Sequence, residues 1–255
     1  GYSHLNIGGR LDYQHKTHLD GEILTLSYML AATRPHTIFR QMYNNMVNFP
    51  VNYTSYDQNT RERFTEHTFQ IDYVRPFGKH HKIESGTKYI LRYNNSTSLM
   101  DYQGTTPDME SKFKHNAQVA AAYLSYIFTA GKWAARAGLR YEFTRMKASY
   151  PDGSNADYHA NLNDWVPSAS LQYKISDSQT LKFSYNTSIN RPGIGYLNPA
   201  IISTPTAVSF GNANLGSSRN QKLQLVYMLV TSKLTLQLSP YYSFTNNGIG
   251  RILYE

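Results

Sequence analysis

Polar and apolar residues alternate along the segment KWAARAGLRYEFTR, residues 132–145. From Trp133 to Phe143 one parity is wholly apolar, and it includes Leu139. The other parity carries the charges Arg136, Arg140 and Glu142. Because successive side chains of a β-strand point to opposite faces, this pattern predicts a strand with one apolar and one polar face.

Segments with the same period recur along the whole chain, and they come in pairs. There are about ten, each near the length of about 9–11 residues that a tilted membrane strand needs. Each pair predicts one β-hairpin. The paired segments are 4–15 and 22–32, 64–74 and 82–94, 115–128 and 132–145, 164–175 and 180–190, and 219–229 and 233–246.

Links within the pairs are short and rich in turn residues, whereas links between the pairs are long. The long links are 33–63, 95–114, 146–163 and 191–218. Short and long links that alternate are typical of an up-and-down outer-membrane barrel, with short periplasmic turns and long outer loops. We therefore predict an all-β fold, an antiparallel transmembrane β-barrel. A large soluble β-sandwich would explain the alternation but not the unequal links.

The amino-acid composition excludes several function classes and is compatible with a transmembrane β-barrel. Charged residues make up 16% of the chain, below the roughly 25% of soluble domains. The absence of cysteine excludes a disulfide scaffold, a thiolate zinc site and a cysteine nucleophile. The net charge of +8 comes from scattered Lys and Arg residues, so no nucleic-acid partner is predicted.

Charged residues on the polar parity are the first candidates for a binding site. In a barrel they would line the lumen and attract anionic or strongly hydrogen-bonding molecules. The second interpretation is that they pair with charges on neighbouring strands, which is the ordinary use of such positions. The candidates are Arg10, Lys88, Arg92, Arg136, Arg140 and Glu142.

Residues in the long links form the second set of candidates. Aromatic rings beside amide side chains suit sugars and other polar, ring-bearing ligands, and binding residues concentrate on loops. The same aromatic residues could instead pack the loops onto one another. The candidates are Tyr43, Tyr53, Arg191, Tyr196, Asn198 and Phe210.

Neither a catalytic nor a metal site is predicted, and no cofactor is expected. His15 with His18, and His80 with His81, fall in short turns without the convergent ligands that a metal requires. No G-x-S-x-G motif is present, and acidic residues and histidines of the long links are scattered: Asp101, Asp108, Asp152, Asp157, His36 and His159. A self-contained barrel of about ten strands, acting as an enzyme or passive pore, is the alternative.

Three long segments and one short segment carry a family resemblance. They are 67–96, 120–144, 181–199 and 211–215, with elements such as W.A.AGLRYE and NRP….LNP. These residues resemble the barrel region of the TonB-dependent receptors of Bacteroidetes, and the resemblance covers nearly the whole chain. After GNANL the chain reads GSSRNQK, where the family often has a Lys-Pro-Glu type of segment.

The resemblance implies an energy-coupled receptor that takes up a nutrient, such as a glycan or a siderophore, across the Gram-negative outer membrane. Barrels of such transporters have about 22 strands. Residues 1–255 would then form one internal barrel region, with the plug domain and the terminal strands outside it. The expected partners are outer-membrane lipid, the TonB complex through an N-terminal part of the receptor, and a surface lipoprotein.

Overall fold

The computed structural model describes residues 1–44, 52–197, 202–203 and 208–253 of a nearly all-β protein. Its first eight strands are β1 (Tyr2–Lys16), β2 (Ile23–Met42), β3 (Tyr53–Phe77), β4 (His81–Gly104), β5 (Met109–Ala130), β6 (Trp133–Ser149), β7 (Tyr158–Lys174) and β8 (Gln179–Asn190). One helical turn and five further strands follow: α1 (Ile194–Leu197), β9 (Ile202–Ser203), β10 (Val208–Ser209), β11 (Ser218–Val230), β12 (Thr235–Leu238) and β13 (Tyr241–Asn246). No helix among the described residues is long and apolar enough to cross a membrane.

Each long strand pairs antiparallel with the next one along the chain, which confirms the predicted up-and-down sheet. The order runs from β1 to β8 and then to β11, and both β12 and β13 pair with β11. These last two strands occupy one strand position. It is interrupted at Pro240, which has no backbone N–H to continue the ladder. The ten predicted strand positions are therefore present, the last one in two pieces.

The predicted short turns are confirmed, but three of the four long links are much shorter than predicted. The remaining connections are 43–52, 105–108, 150–157 and 191–217. Strands continue through most of the predicted loop residues because the backbone ladder does not require alternating side chains. Where both faces of a sheet meet water, polar residues occupy both parities and the sequence signal disappears.

Large apolar side chains cover one side of the sheet and are not buried by other described residues. We call the side that carries Trp133 and Leu139 the apolar face, and the opposite side the polar face. Leu139 is 46% exposed, Trp165 53% and Phe183 48%. A sheet in water would not leave so many large apolar side chains uncovered on neighbouring strands.

Aromatic pairs border the apolar face at both ends. Trp133 and Tyr173 have ring centroids 4.4 Å apart, and Tyr141 and Trp165 have centroids 4.7 Å apart. From Trp133 to Tyr141 the strand rises about 26 Å, or about 20 Å along the membrane normal at a tilt of about 40°. This height is close to the apolar band of about 25 Å that outer-membrane barrels present to lipid.

On the polar face, a glycine makes room for a neighbouring aromatic ring. A Cβ atom at Gly86 would lie 2.6 Å from both the carbonyl oxygen of Ile71 and Cε1 of Tyr123, and 2.7 Å from Oδ1 of Asp72. The Tyr123 hydroxyl passes over this position and donates to Asp72 at 2.6 Å. Gly86 on β4 therefore allows a tyrosine of β5 to bond to an aspartate of β3.

Replacing Ala169 by Arg should lower the free energy of unfolding in vesicles by about 2–4 kcal/mol, because a charge would enter the middle of the apolar face. Ala169 pairs with Ala137, midway between the aromatic borders. The matched control is Ser184→Arg on the polar face, which should cost less than about 1 kcal/mol. Equal losses, measured by urea unfolding of the full-length protein, would contradict the assignment of the two faces.

Replacing Gly86 by Ala should lower the free energy of unfolding by about 1–3 kcal/mol, because the new methyl group would collide with the Ile71 carbonyl and displace Tyr123 from Asp72. The control is Gly9→Ala, since a Cβ at Gly9 would meet no atom within 4 Å. Gly9→Ala should change the free energy of unfolding by no more than about 0.5 kcal/mol. The same unfolding measurement serves both variants, and an unaffected Gly86→Ala protein would show that neither the Ile71 carbonyl nor the Tyr123 ring needs this space.

Candidate functional site

Two candidate cations of the polar face are held by carboxylates on the same face. Nε of Arg92 donates to Oε2 of Glu66 at 2.5 Å, and the two residues are direct partners across β3 and β4. Nη2 of Arg136, on β6, lies 2.9 Å from Oε2 of Glu84, on β4. Both contacts cross between strands, so each cation is neutralised within the sheet.

Arg10 and Lys88 occupy the same face and differ in their surroundings. Nε of Arg10 donates to the Asp12 carboxylate at 2.8 Å, and Ser27 donates to that carboxylate at 2.5 Å. Lys88 is exposed and forms no ion pair with any other residue that the structure describes. Its charge is therefore available to a ligand, whereas the charge of Arg10 is already compensated.

Arg140, Glu142 and Arg191 form a cluster that joins the two sets of candidates. Nε of Arg140 donates to Oε1 of Glu142 at 2.6 Å, and Nη2 of Arg191 contacts the other oxygen of that carboxylate. Glu142 is only 7% exposed. Burial lowers the pKa of the Arg191 guanidinium, and the charges of Arg92 and Arg140 lower it further. A buried carboxylate between two guanidiniums ties the connection after β8 to strand β6.

Connection 191–217, which carries Arg191, also packs an apolar side chain onto the polar face. Leu197 is fully buried and belongs to a cluster with three residues of β5, β6 and β7: Ala117, Met146 and Leu162. Ser217 donates to Asp164 at 2.7 Å, and the Tyr158 hydroxyl donates to the carbonyl of Ala213 at 3.1 Å. Leu197, Ala213 and Ser217 of connection 191–217 therefore lie against strands β5–β7.

Four tyrosines pack together where β2, β3 and β4 end. The ring of Tyr53 lies 4.8 Å from that of Tyr102 and 5.9 Å from that of Tyr43, and Tyr56 lies 5.8 Å from Tyr102, centroid to centroid. The prediction that Tyr53 is a loop residue is wrong, since it begins β3 and is only 8% exposed. Its ring packs between neighbours, because a tyrosine gains more from burying its ring there than from facing water.

The remaining candidates of the long links are spread along connection 191–217. Tyr196 is 37% exposed, and the Arg251 guanidinium lies 5.5 Å from its ring centroid. Phe210 is 69% exposed. Asn198 lies outside the described residues. Tyr196 and Phe210 are thus the candidate aromatic residues with ring surface open to solvent.

Acidic residues of the outer turns accept hydrogen bonds from backbone amides. Asp152 accepts the amide of Lys112 at 2.7 Å, and this bond and that from the Ser154 amide hold its pKa below the usual range. Asp157 accepts the amide of Tyr150, which likewise lowers the Asp157 pKa. Among the described residues, no group of three or more His, Asp or Glu side chains is placed to hold a metal ion.

A family model described as the outer membrane protein beta-barrel family matches residues 15–255. The chain belongs to this barrel family. The protein is therefore located in the outer membrane of a Gram-negative cell, where the apolar face of the barrel contacts lipid and the polar face lines the interior. A search of curated proteins finds no match to the sequence.

Solved structures with the same fold are transporters and receptors. The ferric citrate transporter FecA has a TM-score of 0.71 and 12% identity, over 96% of this chain and 35% of FecA. The ferric yersiniabactin uptake receptor FyuA from Yersinia pestis has a TM-score of 0.64 and 14% identity, over 96% of this chain and 36% of FyuA. The copper transporter OprC has a TM-score of 0.61 and 12% identity, over 94% of this chain and 40% of OprC. This barrel chain thus spans well under half the length of these structures.

Several important residues of the barrel interior were not among the sequence candidates. Glu66, Glu84 and Asp164 all lie on the polar parity, so the alternation itself places them beside the candidate cations. Asp164 is the direct partner of Glu142 across β6 and β7. Its bond with Ser217 depends on how connection 191–217 folds back, and no local sequence signal indicates this.

Replacing Arg191 by Ala should release connection 191–217, because Glu142 would lose one of its two cationic partners. We expect chymotrypsin to cut the connection at least about tenfold faster, which corresponds to about 1.4 kcal/mol of lost docking free energy. Arg145→Ala is the control, since Arg145 is exposed and forms no ion pair with a described residue. The same cutting rate in both variants would show that the Glu142 contact does not hold the connection.

Proposed function

We propose that residues 1–255 form part of the barrel of a TonB-dependent receptor that takes up a nutrient through the outer membrane. The observation that carries this proposal is the open sheet. Among the described strands, β1 pairs only with β2, and β12 and β13 pair only with β11. Unpaired strand edges are costly in lipid, so a larger barrel needs further strands beside both edges.

A plug domain and additional strands elsewhere in the protein would complete such a receptor. The fold shared with FecA and FyuA, which are much longer than this chain, supports that arrangement. The TonB complex would supply energy from the periplasmic side. A surface lipoprotein partner and an origin in Bacteroidetes also belong to the proposal, and the sequence resemblance alone supports them.

The proposed ligand is a polar molecule that carries negative charge or ring structures, such as a metal-loaded siderophore or a glycan. Lys88 offers an uncompensated cation on the polar face, and Tyr196 and Phe210 offer exposed rings on connection 191–217. The charged cluster around Arg140, which includes Arg191, would orient the ligand. The similar solved structures are described as transporters and receptors, which supports transport and not catalysis as the role.

A self-contained barrel acting as a passive pore is less well supported. Such a barrel would need β1 to pair with β12 or β13, and no such pairing occurs among the described strands. The ion pairs of the polar face and the inward-packed connection also place side chains where a passive pore would keep an open passage.

Uptake by cells that express the full-length protein should depend on the proton gradient. We expect a panel of labelled ferric siderophores and oligosaccharides to include at least one probe whose uptake exceeds that of cells lacking the gene. A protonophore should reduce this uptake to the level of the gene-deleted cells, because the receptor is energised through TonB. Uptake that persists with the protonophore would favour a passive pore.

A further inference from the structure

Six basic residues lie beyond the apolar band, on the same side of the sheet as the apolar face. All are exposed, and all lie toward the end that carries the long connections. On β2 the next residue of this face after Ala32 is Arg34, and on β6 the next one after Phe143 is Arg145. The side chains of this face therefore change from apolar to basic within one step of the alternation. We call these residues the basic belt: Arg34, Arg61, Arg63, Lys114, Arg145 and Arg219.

Strand register places members of the belt side by side. Arg63 is the direct partner of Asn95, and Asn95 is the direct partner of Lys114, which gives one row across β3, β4 and β5. Arg61 lies two residues from Arg63 on the same face of β3. Like charges on neighbouring strands repel one another, so anions from outside the sheet would stabilise this arrangement.

No residue of the basic belt forms an ion pair with another residue that the structure describes. Two carboxylates on this side of the sheet hold other cations: Asp57 pairs with Arg40, and Glu110 pairs with Lys112 at 2.8 Å. Asp101, the direct partner of Asp57, forms no ion pair with another described residue. On the polar face, Arg92 and Arg136 are each held by a glutamate, whereas Lys88 forms no ion pair with another described residue. The belt therefore presents uncompensated positive charge beside the lipid.

We propose that the basic belt binds the phosphate groups of lipopolysaccharide in the outer leaflet. The long connections mark the outer end of the barrel, and the belt begins where the apolar band ends, which is the height at which lipid headgroups meet water. The phosphates of lipid A lie at this height, directly above its acyl chains. Arginine matches a phosphate with two parallel hydrogen bonds, and five of the six belt residues are arginine.

The test is a titration of the full-length protein in detergent with bisphosphorylated lipid A and with its dephosphorylated form. Combining Arg61→Gln, Arg63→Gln and Arg145→Gln should weaken binding of the bisphosphorylated lipid about hundredfold, since each charge near an anionic surface is worth about 1 kcal/mol, or about fivefold. The matched control removes three exposed lysines of the short turns: Lys79→Gln, Lys132→Gln and Lys233→Gln.

Each outcome of the titration decides the proposal. The control should bind the bisphosphorylated lipid like the unmodified protein, and the dephosphorylated lipid should bind weakly to all variants. A variant with lysine at positions 61, 63 and 145 should keep most of the affinity for the bisphosphorylated lipid. Because this variant retains the charges, it distinguishes an effect of lost charge from an effect of misfolding. Equal losses in the belt and control variants, or equal binding of the two lipids, would overturn the proposal. Nutrient uptake should be retained in the belt variant, because the belt faces away from the barrel interior.

Discussion

Lipid offers no hydrogen-bond partner to a polypeptide backbone, and the organisation of this sheet follows from that constraint. Antiparallel pairing of each strand with the next satisfies the N–H and C=O groups of the interior strands without any other element. Side chains are then free to divide between two surroundings. Trp133 and Leu139 face the acyl chains, and the opposite side of the same strand carries Arg136 and Glu142. Pro240 cannot donate a hydrogen bond to the ladder, and the last strand position is divided there.

Charge is distributed according to the same two surroundings. Inside the barrel an unpaired buried charge is costly, and Glu142 has both Arg140 and Arg191 as partners. Tyr123 and Gln70 similarly surround Asp72 with donors. Outside, at the border between lipid and water, cations without a carboxylate partner are tolerated because headgroups and water can solvate them. The fold thus pairs the buried charge of Glu142, leaves Lys88 as an uncompensated cation of the interior, and leaves further positive charge on the surface that meets the membrane.

Strand positions and short turns are predictable from the sequence because lipid contact imposes a period of two on every spanning segment. Strand ends are not predictable in this way. Tyr53 begins β3 in a stretch where both faces of the sheet meet water, so no alternation indicates a strand there. The role of Gly86 is partly predictable: its parity places it on the polar face, but only the structure shows that the ring of Tyr123 passes over it. The contact between Glu142 and Arg191 joins strand β6 to a connection that is distant in sequence, and it depends on the fold of residues 191–217.

The long hairpin of β3 and β4 continues well past the lipid. From His67, near the border of the apolar band, β3 runs a further fourteen residues to Tyr53. That distance is about 46 Å along the strand, or about 35 Å above the membrane at a tilt of about 40°. The packed tyrosines at the top of the hairpin therefore stand several nanometres into the surrounding medium. An antibody, a phage or a nutrient that approaches the cell meets this aromatic tip before it reaches the membrane.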